Sequence, residues 1–285
     1  MQSQDTVIFI QVPGAAGAAL GGIIDREYGP LKIFAIKERR CCSEYHRLIH
    51  SDPARLARVS VFRGCMPFGL HRLLSRTSTY ITMLCNPVDR VIAEYYCAVG
   101  RAGRGEGERL PLERYVRSSE TNNIATRLIS GRQSRCGMMY RHCCNDTFAL
   151  AKENLALHFR FVGLAERFRE SLALARLAMG WKIRRYAPIA LLRNGQEREL
   201  VEPAGRELIA EYNRYDVALY DYALDLFGQA LAAHGDRVRQ ALQEIARAEL
   251  AGGFNRLVFR SVAGSIEACT AINTAVRSFN MALDL

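Results

Sequence analysis

An α/β fold with a parallel sheet flanked by helices is what this chain of 285 residues predicts. Three observations carry that expectation. Short runs rich in β-branched and aromatic residues recur along the first 164 positions. Stretches of helical composition or period alternate with them. Twice, after Val12 and after Leu84, a strand-like run passes through a tight turn holding proline straight into a helix.

The first unit is Val7 to Leu20, VIFIQVPGAAGAAL. Val7 to Val12 reads as a buried strand, ended by Pro13 and Gly14, and the alanines that follow favour a helix. Strand, small-residue loop and helix start aim backbone N–H groups and a helix dipole at an anion. Gly14 to Ala19 contains no lysine, serine or threonine, so the loop has the shape for phosphate without the side chains.

Next come a helix from Ala18 to Tyr28, stopped by Gly29-Pro30, and a second strand at Lys32 to Ile36. Asp52-Pro53 opens a short helix, Val59 to Phe62 is a third strand, and RGCMPFGLHRLL follows. Tyr80 to Leu84 is a fourth strand that runs through CNPVDR into a helix from Val88 to Val99. Gly100 to Gly107 reads as an arginine-bearing loop, either a cover for a substrate or a solvated connection. A helical region is expected to start at Leu112 to Arg117 and continue through TNNIATRLISG, with another helix at Asp146 to His158; a fifth strand is Phe159 to Leu164, with a helix from Glu166 to Met179. Glu202-Pro203 opens a helix predicted to run with few interruptions to about Ala233. This gives an α/β domain over 1–233 and a C-terminal helical extension over 234–285, whose amphipathic face packs either on the core or on a partner subunit in a homo-oligomer.

Composition bounds the function. A hydrophobic share of 49% with 24% charged residues fits a globular chain, and no apolar run is long enough to span a bilayer. Met1 to Thr6 lacks the features of a secretory signal, so a cytoplasmic location is expected. Net charge is +10, nearly all from arginine, which suits anionic ligands and equally a solvated surface. A nucleic-acid role would rest on charge alone, and no nucleic acid is expected as partner. Nine cysteines without a CxxC pair read as thiols. Cys136, His142, Cys143 and Cys144 invite a zinc reading, but adjacent cysteines chelate one ion poorly, so no metal is expected.

Several residues have two readings. Arg90 is either a cation for the second loop or a partner of Asp89 or Glu94 that stiffens the helix start. His71 is either a general base, needing a carboxylate to orient it, or a surface or core histidine. Arg127 with Asn122 and Asn123 lies either near a ligand or in a helix cap. Tyr95, Tyr96, Tyr212, Tyr215, Tyr220 and Tyr222 are most simply core or half-buried positions, and Arg193-Asn194-Gly195 is a surface turn or a nucleotide contact.

The segments FIQVPGAAGAAL, RGCMPFGLH, ITMLCNPVDRVIAEYY, NNIATRLISG, AKENLALHFRFVGLAERFRESLAL and EYNRYDVALYDYAL, in that order, resemble sulfotransferase family 2 over about residues 5 to 232. The resemblance implies a P-loop NTPase-like sulfotransferase fold. It also implies transfer of a sulfuryl group from the co-substrate 3′-phosphoadenylyl sulfate to a hydroxyl or amine acceptor, mostly by positioning and electrostatic stabilisation. It assigns the nucleotide to Pro13, Gly14, Ala15, Ala16, Gly17, Ala18 and Ala19 in the first loop and to Cys85, Arg90 and Ala93 in the second. His71 is the catalytic candidate.

The same positions carry the departures. Gly14 stands where the family has its loop lysine, and Ala15, Ala18 and Ala19 where it has hydroxyls. Cys85 and Ala93 replace an arginine and a serine that hold the 3′-phosphate, and Cys65 replaces a histidine. Pro13, Gly17, Asn86, Pro87, Arg90, Glu94 and Tyr95 keep the frame. Two functions follow: a sulfotransferase, or a catalytically inactive sulfotransferase-fold binding or scaffold protein.

Overall fold

The computed structural model describes residues 5–36, 41–102, 111–118, 122–132, 143–184 and 201–253. The loop at 103–107, the Arg193 to Gly195 turn, Cys136, His142 and the tail beyond 253 lie outside the described residues.

Five strands form one parallel sheet in the order β2-β3-β1-β4-β5. They are β1 (Thr6–Gln11), β2 (Ile33–Ile36), β3 (Val61–Gly64), β4 (Ser78–Leu84) and β5 (Phe159–Leu164). Central β1 is buried from Thr6 to Ile10, which is why its sequence is a continuous apolar run rather than an alternating one. Its register sets Ile8 between Phe62 and Tyr80. Val12 leaves the ladder because its carbonyl accepts from Ala15 N at 3.2 Å, closing the turn.

The helices are α1 (Gly17–Tyr28), α2 (Cys41–Ile49), α3 (Pro53–Leu56), α4 (Pro87–Ala102), α5 (Leu112–Ser118), α6 (Ile124–Ser130), α7 (Asn145–His158), α8 (Phe168–Met179), α9 (Pro203–Tyr212) and α10 (Arg214–Gly253). The chain leaves β1 toward β2 on one side and leaves β4 toward β5 on the other. The carboxyl ends of β1 and β4 therefore flank the point where the sheet reverses its winding, where α/β sheets open a crevice.

The helical stretch expected from Pro203 onward is interrupted at Asn213. Asn213 separates α9 from α10 because Asn123 takes over the first N–H groups of the second helix: its Oδ1 accepts from Tyr215 N at 3.0 Å and Asp216 N at 3.1 Å. Asp216 returns the favour, accepting from Ala125 N at 3.1 Å and Thr126 N at 2.8 Å at the start of α6. Each helix start thus caps the other.

Helix α10 breaks once more, at Gly235 (φ 33°, ψ −108°). Beyond the break Val238, Ala241 and Ile245 are buried in the same core as the sheet, and Glu244 pairs with Arg176 of α8. Residues 236–247 thus share the core of the α/β unit. Among the described residues no helix is long and apolar enough to cross a membrane.

Candidate functional site

The β1–α1 loop has the backbone of an anion nest. Gly14 (φ 75°) and Ala16 (φ 57°) are left-handed and alternate with Ala15, and α1 begins at Gly17. Such alternation turns successive N–H groups to one side. Among the described residues the N–H groups of Gly14, Ala16, Gly17 and Ala18 meet no protein acceptor. The Gly17 carbonyl is held by Gln11 Nε2 at 2.8 Å, which fixes the loop on the end of β1.

Arg90 fills the space this loop leaves. A β-carbon on Gly14 would stand 2.9 Å from Arg90 Cγ and 3.9 Å from Glu94 Oε1. Arg90 is 3% exposed, and its guanidinium is spent on neighbours: Glu94 at 2.9 Å, Asp216 at 3.6 Å and the Asn213 amide oxygen at 3.0 Å. Burial alone would lower its pKa; the carboxylates of Glu94 and Asp216 outweigh that and hold it raised. Of its two expected partners Glu94 is the one it meets; Asp89 instead pairs with Arg206 at 3.3 Å. Ala93 is half-buried on the same helix.

The β4–α4 turn is closed from within. Asn86 Oδ1 accepts from Val88 N at 3.0 Å and Asp89 N at 3.2 Å, its carbonyl accepts from Arg90 N, and Pro87 has no N–H. Asn86 N donates to Glu166 Oε1 at 2.6 Å, and Tyr220 OH donates to Glu166 Oε2 at 2.9 Å. A carboxylate therefore sits where the resemblance would place a phosphate. Beside it burial pushes the Cys85 thiol up, so it stays neutral.

Val12, just ahead of the first loop, and the β4–α4 turn meet at one crevice, while Pro13 to Ala19 are not among the residues that line it. Val12, Leu84, Cys85, Pro87, Arg90 and Asp216 line it, and the space they leave is about 10 Å³, on the order of one water molecule. Around it stand Glu94, Glu166 and Asp216 against Arg90 and the buried Arg127. A polyanionic nucleotide would enter a site whose carboxylates outnumber these cations. The residues present do not fit 3′-phosphoadenylyl sulfate.

His71 is not brought to this crevice. Its Nδ1 lies 2.7 Å from Tyr80 OH, and its ring stacks on His158 at 5.9 Å. Tyr80 precedes Cys85 by five positions, about 16 Å of extended strand, and His158 directly precedes β5. The segment after β3 has turned back toward the amino edge by the time it reaches His71. The Tyr80 hydroxyl accepts from Gly69 N and His71 N, both at 3.1 Å, so it donates to His71 Nδ1. Burial pushes Tyr80 up to about 12 and lowers His71.

Arg127 is buried in α6, and burial lowers its pKa. Asn123 does cap, though not its own helix: it makes no side-chain cap to α6 and serves α10 instead, while Asn122 donates to the Val116 carbonyl and accepts from Asn213 Nδ2. Glu166, Asn213 and Asp216 are missing from the candidates read in the sequence. The spacing Asn213-x-x-Asp216 at a helix start is a capping pattern and marks that region; nothing local marks Glu166. No protein-family model and no curated protein matches this chain.

Proposed function

We propose that the chain is a sulfotransferase-fold protein whose nucleotide crevice is filled by its own side chains, a binding or scaffold protein without sulfuryl-transfer activity. The observation that carries this is Arg90 seated against Gly14 with its charge committed to Glu94 and Asp216. The closed turn at Asn86 supports it. A charge-assisted hydrogen bond contributes about 1.5–3 kcal/mol, and an incoming phosphate would have to replace several that the protein already makes to itself. Losing one transition-state donor costs roughly 10²–10³ in rate; here the lysine, the hydroxyls and the 3′-phosphate arginine and serine are all replaced.

The sulfotransferase reading keeps one support, the N–H groups of Gly14, Ala16, Gly17 and Ala18, which meet no protein acceptor among the described residues. Calorimetry with 3′-phosphoadenosine 5′-phosphate separates the two. No heat up to millimolar ligand is expected. Micromolar binding would overturn the proposal and return the chain to the enzymes.

A further inference from the structure

The opposite edge of the sheet has a different character. All strands are parallel, so their amino ends lie on one side. Among the described residues, three of the four exposed large hydrophobic ones sit just ahead of strands on that side: Leu31 (100% exposed) before β2, Leu73 (44%) in the turn before β4, and Leu157 (69%) before β5. The stack of His71 on His158 holds the Leu73 turn against the end of α7 that bears Leu157. Four strand spacings, about 19 Å, separate β2 from β5.

Interleaved with these leucines are exposed cations: Lys32, Arg55, Arg58, Arg72 and Arg160. Carboxylates stand near this edge too: Glu153 is exposed one helical turn before Leu157, and three others accept hydrogen bonds. Asp5 accepts from Thr77, Asp52 from Ala54 N, and Glu27 from the N–H groups of Lys182 and Ile183. Basic residues at helix ends answer the helix dipole, but the dipole gives no reason for leucines to stand in water beside them.

We infer that this amino edge is a docking surface for an anionic lipid bilayer. Cations attract the lipid phosphates, and the leucines enter the boundary between headgroups and acyl chains. This is adsorption without a span. A nucleic-acid backbone would meet the same charges, yet it offers protruding aliphatic side chains nothing to bury against. The surface lies at the opposite edge of the sheet from the crevice and stands independently of what the crevice binds.

The test is co-sedimentation of the full chain with vesicles of phosphatidylserine and phosphatidylcholine, against phosphatidylcholine alone. Binding to the anionic vesicles only, weakening as salt rises from about 0.1 to 0.5 M, is the expected result. Leu31→Ser with Leu157→Ser should lower partitioning about ten-fold while the thermal unfolding curve stays in place, because both side chains are exposed. Equal sedimentation with neutral vesicles, no loss in the double variant, or tight salt-sensitive binding to duplex DNA with no vesicle binding would each overturn the inference.

Discussion

Arg90 Cγ stands 2.9 Å from the point where a β-carbon on Gly14 would be. Gly14 also has φ 75°, a conformation that side chains strain. Gly14→Ala therefore meets two penalties, the left-handed backbone and the collision with a mid-chain carbon that cannot swing away without breaking ion pairs. A loss of about 1–3 kcal/mol is expected, read from the urea midpoint at unchanged slope. Gly14→Lys meets the same wall, so a lysine placed in this loop will not by itself create a phosphate site. A Gly14→Ala variant as stable as the parent would show that Arg90 does not hold this position.

Arg90 joins three elements, so cutting it should reach further than one contact. Arg90→Leu keeps the aliphatic packing on Gly14 and takes the guanidinium away from Glu94 and the buried Asp216. Removing one partner of a buried pair typically costs about 3–5 kcal/mol. Glu94 is partly exposed and should matter less. A double-mutant cycle of Arg90→Leu with Glu94→Gln is expected to show coupling of about 0.5–3 kcal/mol in thermal unfolding; strictly additive losses would mean that the pair contributes nothing.

His71 gives a pH dependence whose sign is fixed by its surroundings. Burial, with Arg72 and His158 nearby, lowers its pKa below the ordinary value near 6.5. As pH falls, the unfolded chain takes up the proton first. The contribution of His71 is full above about pH 6.5 and is lost as pH falls through the lowered folded value. His71→Gln removes that titration, so the stability gap between parent and variant should narrow from pH 7.5 down to 5. A gap that widens on acidification would mean that the imidazolium is the favoured form and that the Tyr80 hydrogen bond runs the other way.

Much of the frame was legible in the sequence, for reasons that also mark the limit. The five strands announce themselves because a parallel sheet buried on both faces needs continuous apolar runs, and Phe159 to Leu164 matches to the residue. Helix starts at Asp52-Pro53 and Asn86-Pro87 follow from local chemistry. What could not be read were relations between distant positions. Nothing local to Gly14 says that a side chain from α4 will lie against it, and nothing in His71 says which edge of the sheet its turn will reach. The position of the break at Asn213 has no local cause: Asn123, just ahead of α6, sets it from 90 residues away along the chain.

That distant cause makes the final prediction. Asn123 is left-handed (φ 53°, ψ 35°), and its side chain caps α10 through two N–H groups while its Nδ2 donates to the Tyr212 carbonyl at 2.8 Å. Asn123→Ala loses the cap, about 1 kcal/mol, and adds a left-handed alanine, about 1–2 kcal/mol more. Asn123→Gly loses the cap alone, since glycine accepts that backbone without strain. The glycine variant should therefore unfold at a urea concentration between those of the alanine variant and the parent. Coincident alanine and glycine curves would deny the backbone term, and two curves lying on the parent's would deny the reciprocal cap that joins α6 to α10.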